Sequence, residues 1–195
     1  YLAAQGYLVV CVDGRGTNAR GRAWRNATYM ELGVKEAEDQ ISAAIYLKSL
    51  PYVDGSRMAL CGWSYGGYQT LMCLSKQSEM LWKCGIAIAP VTSWRLYDSA
   101  YTERYMRRPQ VNEYGYDKAD VMQLAENLTG HLLLVHGLAD DNVHAQQSWL
   151  YVDALVNAGK QFEMQMYPDD NHFLRNGNNY QHLHNRIMLF LKKNL

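Results

Sequence analysis

Short apolar runs alternate with longer amphipathic stretches along the chain. The runs are six to eight residues long and are bounded by Gly, Pro and charged residues, which is typical of buried strands. These predicted strands cover residues 7–13, 57–62, 83–90, 131–137 and 161–168. Apolar residues at helical spacing predict helices at residues 36–50, 66–78, 144–159 and 180–194. Residues 91–130 are polar and rich in tyrosine, and they predict short helices joined by loops.

The order of these elements predicts the fold class. Strands that alternate with helices form a mostly parallel sheet with helices on both faces. The 195 residues are enough for one domain with a substantial core, and they contain no internal repeat or linker. We therefore expect a single α/β domain over residues 1–195. Its first residues read as the end of a helix entering a strand, so we expect the N-terminal strands of the sheet to lie upstream.

The charge composition gives no support to two classes of partner. Lys and Arg number 19, as do Asp and Glu, so the formal net charge is zero. Nothing in this balance favours a nucleic acid or an anionic membrane as a partner. No apolar run approaches the roughly 18 residues of a membrane span. The four cysteines have apolar neighbours and no C-x-x-C spacing, so we interpret Cys11, Cys61, Cys73 and Cys84 as buried free thiols.

The strongest chemical motif is GWSYG at residues 62–66, which reads G-x-S-x-G. It lies between a predicted strand and a predicted helix, which is the context of the nucleophile turn in the α/β-hydrolase fold. That turn is so tight that we expect both flanking positions, Gly62 and Gly66, to require glycine. We therefore predict that Ser64 is a nucleophile and that the backbone N–H of Tyr65 donates to an oxyanion.

A serine nucleophile needs a base, and the base needs a carboxylate that orients it. In this fold the acid follows a later strand and the histidine follows the next one. Asp140 and Asp141 come directly after the fourth predicted strand, and His172 follows the fifth. Position alone leaves the choice between the two acids open, and Asp169 or Asp170 could also orient His172.

Other motifs have weaker functional interpretations. Residues 14–19 match the dinucleotide-binding fingerprint, but the next residues do not open an amphipathic helix, so we expect a structural turn in which Arg15 braces neighbouring loops. His131 and His136 flank a strand, and we expect backbone partners for both. We find no H-x-x-x-H pattern and no carboxylate cluster, so we expect no metal and no cofactor.

Residues 89–106 are rich in aromatic side chains. Tyr97 and Tyr101 are four residues apart and would share one helix face. The pattern fits aromatic packing, and it also fits the wall of a pocket for a flat apolar group such as a proline ring.

Together these residues resemble the catalytic domain of the dipeptidyl peptidase IV group in the prolyl oligopeptidase family. The matching segments are DGRGT, GWSYGGY, APVTSWRLYDSAYTERYM, HGLADDNVH and YPDDNH, which are spread over nearly the whole chain. GWSYGG marks the family broadly, whereas YDSAYTERYM with DDNVH is more specific to the dipeptidyl peptidase group. The resemblance implies a serine exopeptidase that removes N-terminal dipeptides after proline or alanine, without a cofactor.

The resemblance also implies roles for individual residues. Ser64 would be the nucleophile, Asp140 rather than Asp141 the acid, and His172 the base. Asn142 would meet the carbonyl of the P2 residue of the substrate. The wall of the P1 pocket would be formed by Tyr65, Val91, Trp94, Tyr97 and Tyr101.

Several features of the family lie outside this sequence or depart from it. The second oxyanion donor is a tyrosine hydroxyl upstream of Tyr1, and the acidic pair that binds the substrate amino terminus lies on an N-terminal β-propeller. Leu96 stands where some relatives have an aromatic residue, and no C-terminal cysteine is present that could pair with Cys84. The resemblance further implies a homodimer, a propeller domain in the same protein and an extracytoplasmic location.

Two other functions remain open at this point. One is a different serine acyl hydrolase, such as a prolyl tripeptidyl peptidase, an acylaminoacyl peptidase or an esterase. The other is a non-catalytic binding domain.

Overall fold

The computed structural model describes residues 1–77 and 79–195 and is built on a parallel sheet. The four strands lie side by side in chain order, and every neighbouring pair is parallel. Their bounds are β1 Ala59–Trp63, β2 Cys84–Ile88, β3 His131–Gly137 and β4 Glu163–Tyr167. The expected parallel sheet is therefore confirmed, and four of the five predicted strands are present.

Helices connect the strands and fill the long segment after β2. In chain order the described α-helices are α1 Gly21–Arg25, α2 Val34–Lys48, α3 Tyr65–Lys76, α4 Ser99–Met106, α5 Glu113–Lys118, α6 Gln146–Asn157 and α7 Asn179–Asn194. The four helices predicted from the pattern correspond to α2, α3, α6 and α7. The predicted end of the second of them, at residue 78, lies outside the described residues.

Alternate side chains of the strands feed two hydrophobic cores, one on each face of the sheet. In β3, Leu132 and Leu134 join the core that contains α2, α3 and α6. Leu133 and Val135 join the core that contains α7. This period of two follows from the strand geometry, and it confirms the prediction of helices on both faces.

The strand predicted at residues 7–13 is absent, so that prediction was wrong. The segment has no regular secondary structure, and Leu8 and Val9 are 61% and 56% exposed. An apolar run becomes a strand only where a neighbour completes its hydrogen bonds. Within the described residues β1 pairs with β2 alone, and no strand lies beside residues 7–13.

The cysteines are free, as expected, but only two of them are buried. Cys73 on α3 and Cys84 on β2 lie in the cores. Cys11 and Cys61 are exposed, so their predicted burial was wrong. Cys11 lies in the unpaired segment, and Cys61 lies on β1 at the edge of the sheet.

No helix among the described residues is both long enough and apolar enough to cross a membrane.

Candidate active site

Ser64 occupies a sharp turn between β1 and α3. Its backbone has φ 58° and ψ −116°, a conformation that residues other than glycine rarely adopt. The Ser64 N–H donates to the carbonyl of Ile88 at 2.8 Å, which ties the turn to the end of β2. The side chain therefore stands at the carboxyl end of the strands, beside the N-terminus of α3.

The glycine requirement of this turn differs from the expectation. A Cβ on Gly62 would overlap the backbone of Gly66, because the chain folds back on itself there. Apart from its chain neighbours and its own helix backbone, a Cβ on Gly66 would meet no atom within 4 Å, so the predicted need for glycine at that position was wrong. Gly67 is the other constrained position, since its Cβ would approach the Ile88 carbonyl to 2.8 Å.

Matched alanine variants test this geometry. Gly62→Ala should lower the free energy of unfolding by about 3 kcal/mol or more, because the overlap can be relieved only by moving backbone. Gly66→Ala should change it by less than about 1 kcal/mol, since alanine is favoured in a helix. Chemical denaturation of both purified variants gives the comparison, and equal losses would contradict the turn described here.

Asp140 and His172 form a buried hydrogen-bonded pair beyond β3 and β4. His172 Nδ1 lies 2.7 Å from Asp140 Oδ2, and the two residues are only 6% and 3% exposed. The backbone N–H groups of Asn142 and Val143 each donate to Asp140 Oδ1 at 2.9 Å. Asp141 is exposed. Of the two acids that position left open, Asp140 is thus the one that reaches the histidine.

The surroundings keep Asp140 ionised. Burial alone would raise the pKa of its carboxyl group, but hydrogen bonds from His136, His172 and the Asn142 backbone outweigh burial and hold the pKa well below its usual range. An ionised carboxylate can only accept hydrogen bonds. His172 Nδ1 therefore carries a proton in this bond, and in the neutral ring the lone pair lies on Nε2.

The loop that carries His172 is fixed by contacts of its own. The Asp170 carboxylate accepts from the Asn176 backbone at 3.1 Å and from Asn179 Nδ2 at 2.6 Å, and the Ala139 N–H donates to the Asp170 carbonyl at 3.0 Å. Asp170 braces the loop in this way, and Asp169 is exposed. Neither orients His172 through Nδ1, which is occupied by Asp140.

A tryptophan links the serine turn to the histidine loop. Trp63 Nε1 donates to the backbone carbonyl of His172 at 2.9 Å. Among the described residues there is no hydrogen bond between Ser64 Oγ and His172 Nε2. Such contacts are often long without substrate and tighten when substrate binds.

His136 is a buried neighbour of this pair that the sequence did not single out for the site. Its Nε2 lies 2.8 Å from the Val143 carbonyl and 3.4 Å from Asp140 Oδ2. Because the carbonyl can only accept, Nε2 carries a proton, and in the neutral ring Nδ1 accepts from the Ser148 hydroxyl at 2.7 Å. The backbone partner expected for His136 is confirmed, and it holds the acid loop. His131 is exposed.

Aromatic side chains cluster around Trp94, next to the serine turn. Trp94 is 2% exposed, and its ring centroid lies 5.2–5.9 Å from those of Tyr65, Tyr68, Tyr97 and Tyr101. Val91 is also buried in this core. Val91 and Trp94 pack inside the core, which fits the interpretation as aromatic packing. The tyrosines at positions 65, 97 and 101 keep partly exposed surface, which fits the interpretation as a pocket wall.

Asn142 connects the aromatic cluster with the acid loop. Its Oδ1 accepts from the Tyr97 hydroxyl at 2.7 Å, and its backbone N–H donates to Asp140. The side chain is exposed, and its Nδ2 group remains available to donate to a ligand carbonyl.

Glu36 on α2 is a second residue that the sequence did not single out. Its Oε1 accepts from the Tyr65 hydroxyl at 2.6 Å. A cavity of about 850 Å³ is lined by both side chains, by Tyr101 and by arginines that include Arg15 and Arg104. Ser64 and His172 do not line this cavity, so it adjoins the serine site without containing it.

The glycine-rich turn at residues 14–19 is held against α2 by Arg15. Arg15 Nε donates to Asp39 Oδ1 at 2.9 Å, and its guanidinium also pairs with Glu38 at 3.1 Å. These bonds attach the turn to α2, so Arg15 braces the turn against a helix and not against the neighbouring loops that were expected. Among residues 1–77 and 79–195, no three His, Cys, Asp or Glu side chains are grouped so that they could hold a metal ion.

Comparison with known proteins adds independent evidence on the family. The model of the prolyl oligopeptidase family matches residues 1–195. The chain is 45% identical over 192 residues to a probable dipeptidyl-aminopeptidase B of Grosmannia clavigera, covering 96% of the chain and 20% of that protein. It is 49% identical over 182 residues to a protein of the same name from Fusarium vanettenii, covering 90% of the chain and 20% of the relative.

Solved structures agree in fold with this assignment. The dipeptidyl peptidase 4 of Porphyromonas gingivalis superimposes with a TM-score of 0.97 at 52% identity, over 100% of this chain and 28% of the other. A putative dipeptidyl aminopeptidase IV of Bacteroides ovatus gives a TM-score of 0.89 at 37% identity, over 94% of this chain and 26% of the other. The chain thus spans 20% to 28% of the length of these proteins. It has the α/β-hydrolase fold and belongs to the prolyl oligopeptidase family of serine peptidases.

Proposed function

We propose that the protein is a serine exopeptidase that releases N-terminal dipeptides after proline or alanine. The observation that supports this most is the buried Asp140–His172 pair, fixed to the Ser64 turn by the Trp63 hydrogen bond. The names of the relatives, which are dipeptidyl peptidases, support the exopeptidase part of the proposal.

In the proposed mechanism Ser64 Oγ attacks the carbonyl carbon of the P1 residue, and His172 Nε2 takes the hydroxyl proton. The Asp140 carboxylate stabilises the imidazolium that forms. The backbone N–H of Tyr65, at the start of α3, donates to the oxyanion, and the helix dipole adds partial positive charge there. His172 then protonates the leaving amine, and water repeats these steps on the acyl-enzyme.

The proposed P1 pocket lies against the aromatic cluster. Tyr65, Tyr97 and Tyr101 would contact a proline ring or an alanine methyl group, and Val91 and Trp94 would support them from inside. Burial raises the pKa of Tyr101 to about 12, so its hydroxyl stays neutral beside an apolar ligand. Asn142 would donate from Nδ2 to the carbonyl of the P2 residue.

We further propose that residues outside this chain complete the site. The acids that bind the substrate amino terminus would lie on an N-terminal propeller of the same protein, and the whole would form a homodimer. The fraction of the relatives that the chain matches, about a fifth, is consistent with additional domains.

Turnover of three substrates by the intact protein tests the proposal. We expect a free-amino Xaa-Pro amide to be cleaved with a kcat/KM at least about 100-fold above that of the same peptide with a blocked amino group. With the blocked peptide, the acids proposed to bind the substrate amino terminus would be left without a partner, which is costly. A simple ester is the third substrate. Preference for the blocked peptide or the ester would instead identify another serine acyl hydrolase, and no turnover of any substrate would favour a binding domain.

A further inference from the structure

The side chain of Glu36 lies where a carboxylate is costly. It sits on the first turn of α2, and its Oε2 is buried without a hydrogen-bond partner among the described residues. Burial raises the pKa of Glu36, although the hydrogen bond from Tyr65 and the nearby backbone N–H groups partly offset this. An apolar side chain would avoid that cost, so the partly buried carboxylate with its buried Oε2 calls for a specific reason.

The contact that Glu36 makes points to the serine site. Its Oε1 accepts from the Tyr65 hydroxyl at 2.6 Å, and the two residues are 29 positions apart in the chain. The phenol of Tyr65 has no other hydrogen-bond partner in the described part of the chain, and its pKa is raised well above 10, by burial first and by Glu36 second. The hydroxyl therefore remains a donor, with Glu36 as its acceptor.

Tyr65 couples this contact to two parts of the proposed site. It directly follows Ser64, so its N–H is the proposed oxyanion donor. The ring centroid of Tyr65 lies 5.5 Å from that of Trp94 and 5.6 Å from that of Tyr68, so Tyr65 belongs to the aromatic cluster. A shift of the ring would therefore alter the P1 wall and the first residue of α3 together.

We propose that Glu36 is a positioning residue of the serine site, which fixes the Tyr65 ring through its hydroxyl and so sets the discrimination between proline and smaller residues at P1. This inference rests on the proposed peptidase function and deepens it. Glu36 acts through Tyr65 and does not touch the substrate.

A simpler role is available for a glutamate in the first helical turn. Its charge would interact favourably with the N-terminus of α2 and stabilise that helix. Such a role predicts a loss of stability in variants without any change in substrate preference. Substrate preference is therefore the readout that separates the two roles.

The test uses the intact protein with Glu36→Gln, Glu36→Leu, Tyr65→Phe and the Glu36→Leu/Tyr65→Phe double variant. Glutamine keeps an acceptor oxygen in place, whereas leucine and phenylalanine each remove one partner of the bond. We measure kcat/KM on Xaa-Pro and Xaa-Ala amides, together with thermal unfolding. Wild-type turnover of the Xaa-Pro amide tests the proposed function itself.

Glu36→Leu and Tyr65→Phe should each lower kcat/KM on the Xaa-Pro amide by about tenfold or more, the size of one hydrogen bond to a charged group, and should lower the Pro/Ala preference. Glu36→Gln should stay within about threefold of wild type, and the double variant should lose no more than either single one. If Glu36→Leu does not fold, Tyr65→Phe gives the same test without altering α2.

Three results would each overturn the positioning role. The first is a wild-type Pro/Ala preference in Tyr65→Phe or in folded Glu36→Leu. The others are losses that multiply in the double variant and a Glu36→Gln variant as poor as Glu36→Leu. A wild-type protein that does not cleave the Xaa-Pro amide would overturn the proposed function instead.

Discussion

Replacing Ser64 by alanine should abolish peptide turnover, with kcat falling by at least about 10⁴-fold. No other described hydroxyl shares its place in the sharp turn between β1 and α3, so no neighbour can take over the attack. Ser64→Ala should fold normally, since the change removes one partly buried oxygen. Steady-state kinetics on an Xaa-Pro amide, with circular dichroism as a folding check, measure the effect.

Ser42→Ala is the matched control for this experiment. Ser42 is an exposed serine on α2 whose hydroxyl bonds only to the carbonyl of Glu38 in its own helix. Its replacement should leave kcat within about twofold of wild type. A Ser64→Ala variant that keeps a tenth or more of wild-type kcat would rule out Ser64 as the nucleophile.

Asp140→Asn should lower kcat by about 10⁴-fold without unfolding the protein. The backbone N–H groups of Asn142 and Val143 both point at Oδ1, so the amide oxygen of the new side chain would take that position. Its NH₂ group would then face His172 Nδ1 as a donor. The histidine would have to carry its proton on Nε2, where it could no longer accept the proton of Ser64.

Asp141→Asn supplies the control, because Asp141 neighbours Asp140 but is exposed. Its kcat should remain within about threefold of wild type. Equal losses in the two variants, or a larger loss in Asp141→Asn, would mean that Asp140 does not orient the base.

The hydrophobic pattern of the sequence predicted the strands and helices that pack against other regular strands and helices. The run at residues 131–137 is β3 with the predicted bounds, because its alternate side chains fill two cores. The apolar run at residues 7–13 has the same local character. It forms no strand because pairing depends on a neighbour, which the local pattern does not specify.

In the candidate site, too, the sequence pattern predicted some residues and missed others. Chain order left more than one aspartate open as the partner of His172, and the resemblance favoured Asp140. The 2.7 Å contact between Asp140 and His172 agrees with that choice. Glu36 is the first residue of the helix predicted at residues 36–50, and nothing in the pattern distinguishes it. Its burial against Tyr65 arises from how α2 packs on α3, which no spacing in the sequence encodes.

Covalent labelling shows which residue of the protein is the nucleophile. A fluorophosphonate reagent should modify the intact protein at one serine, and mass spectrometry of the proteolytic peptides should place the phosphonyl group on Ser64. Labelling should disappear in Ser64→Ala and slow strongly in Asp140→Asn. A phosphonyl group on any other residue, or unchanged labelling of Ser64→Ala, would mean that Ser64 is not the nucleophile.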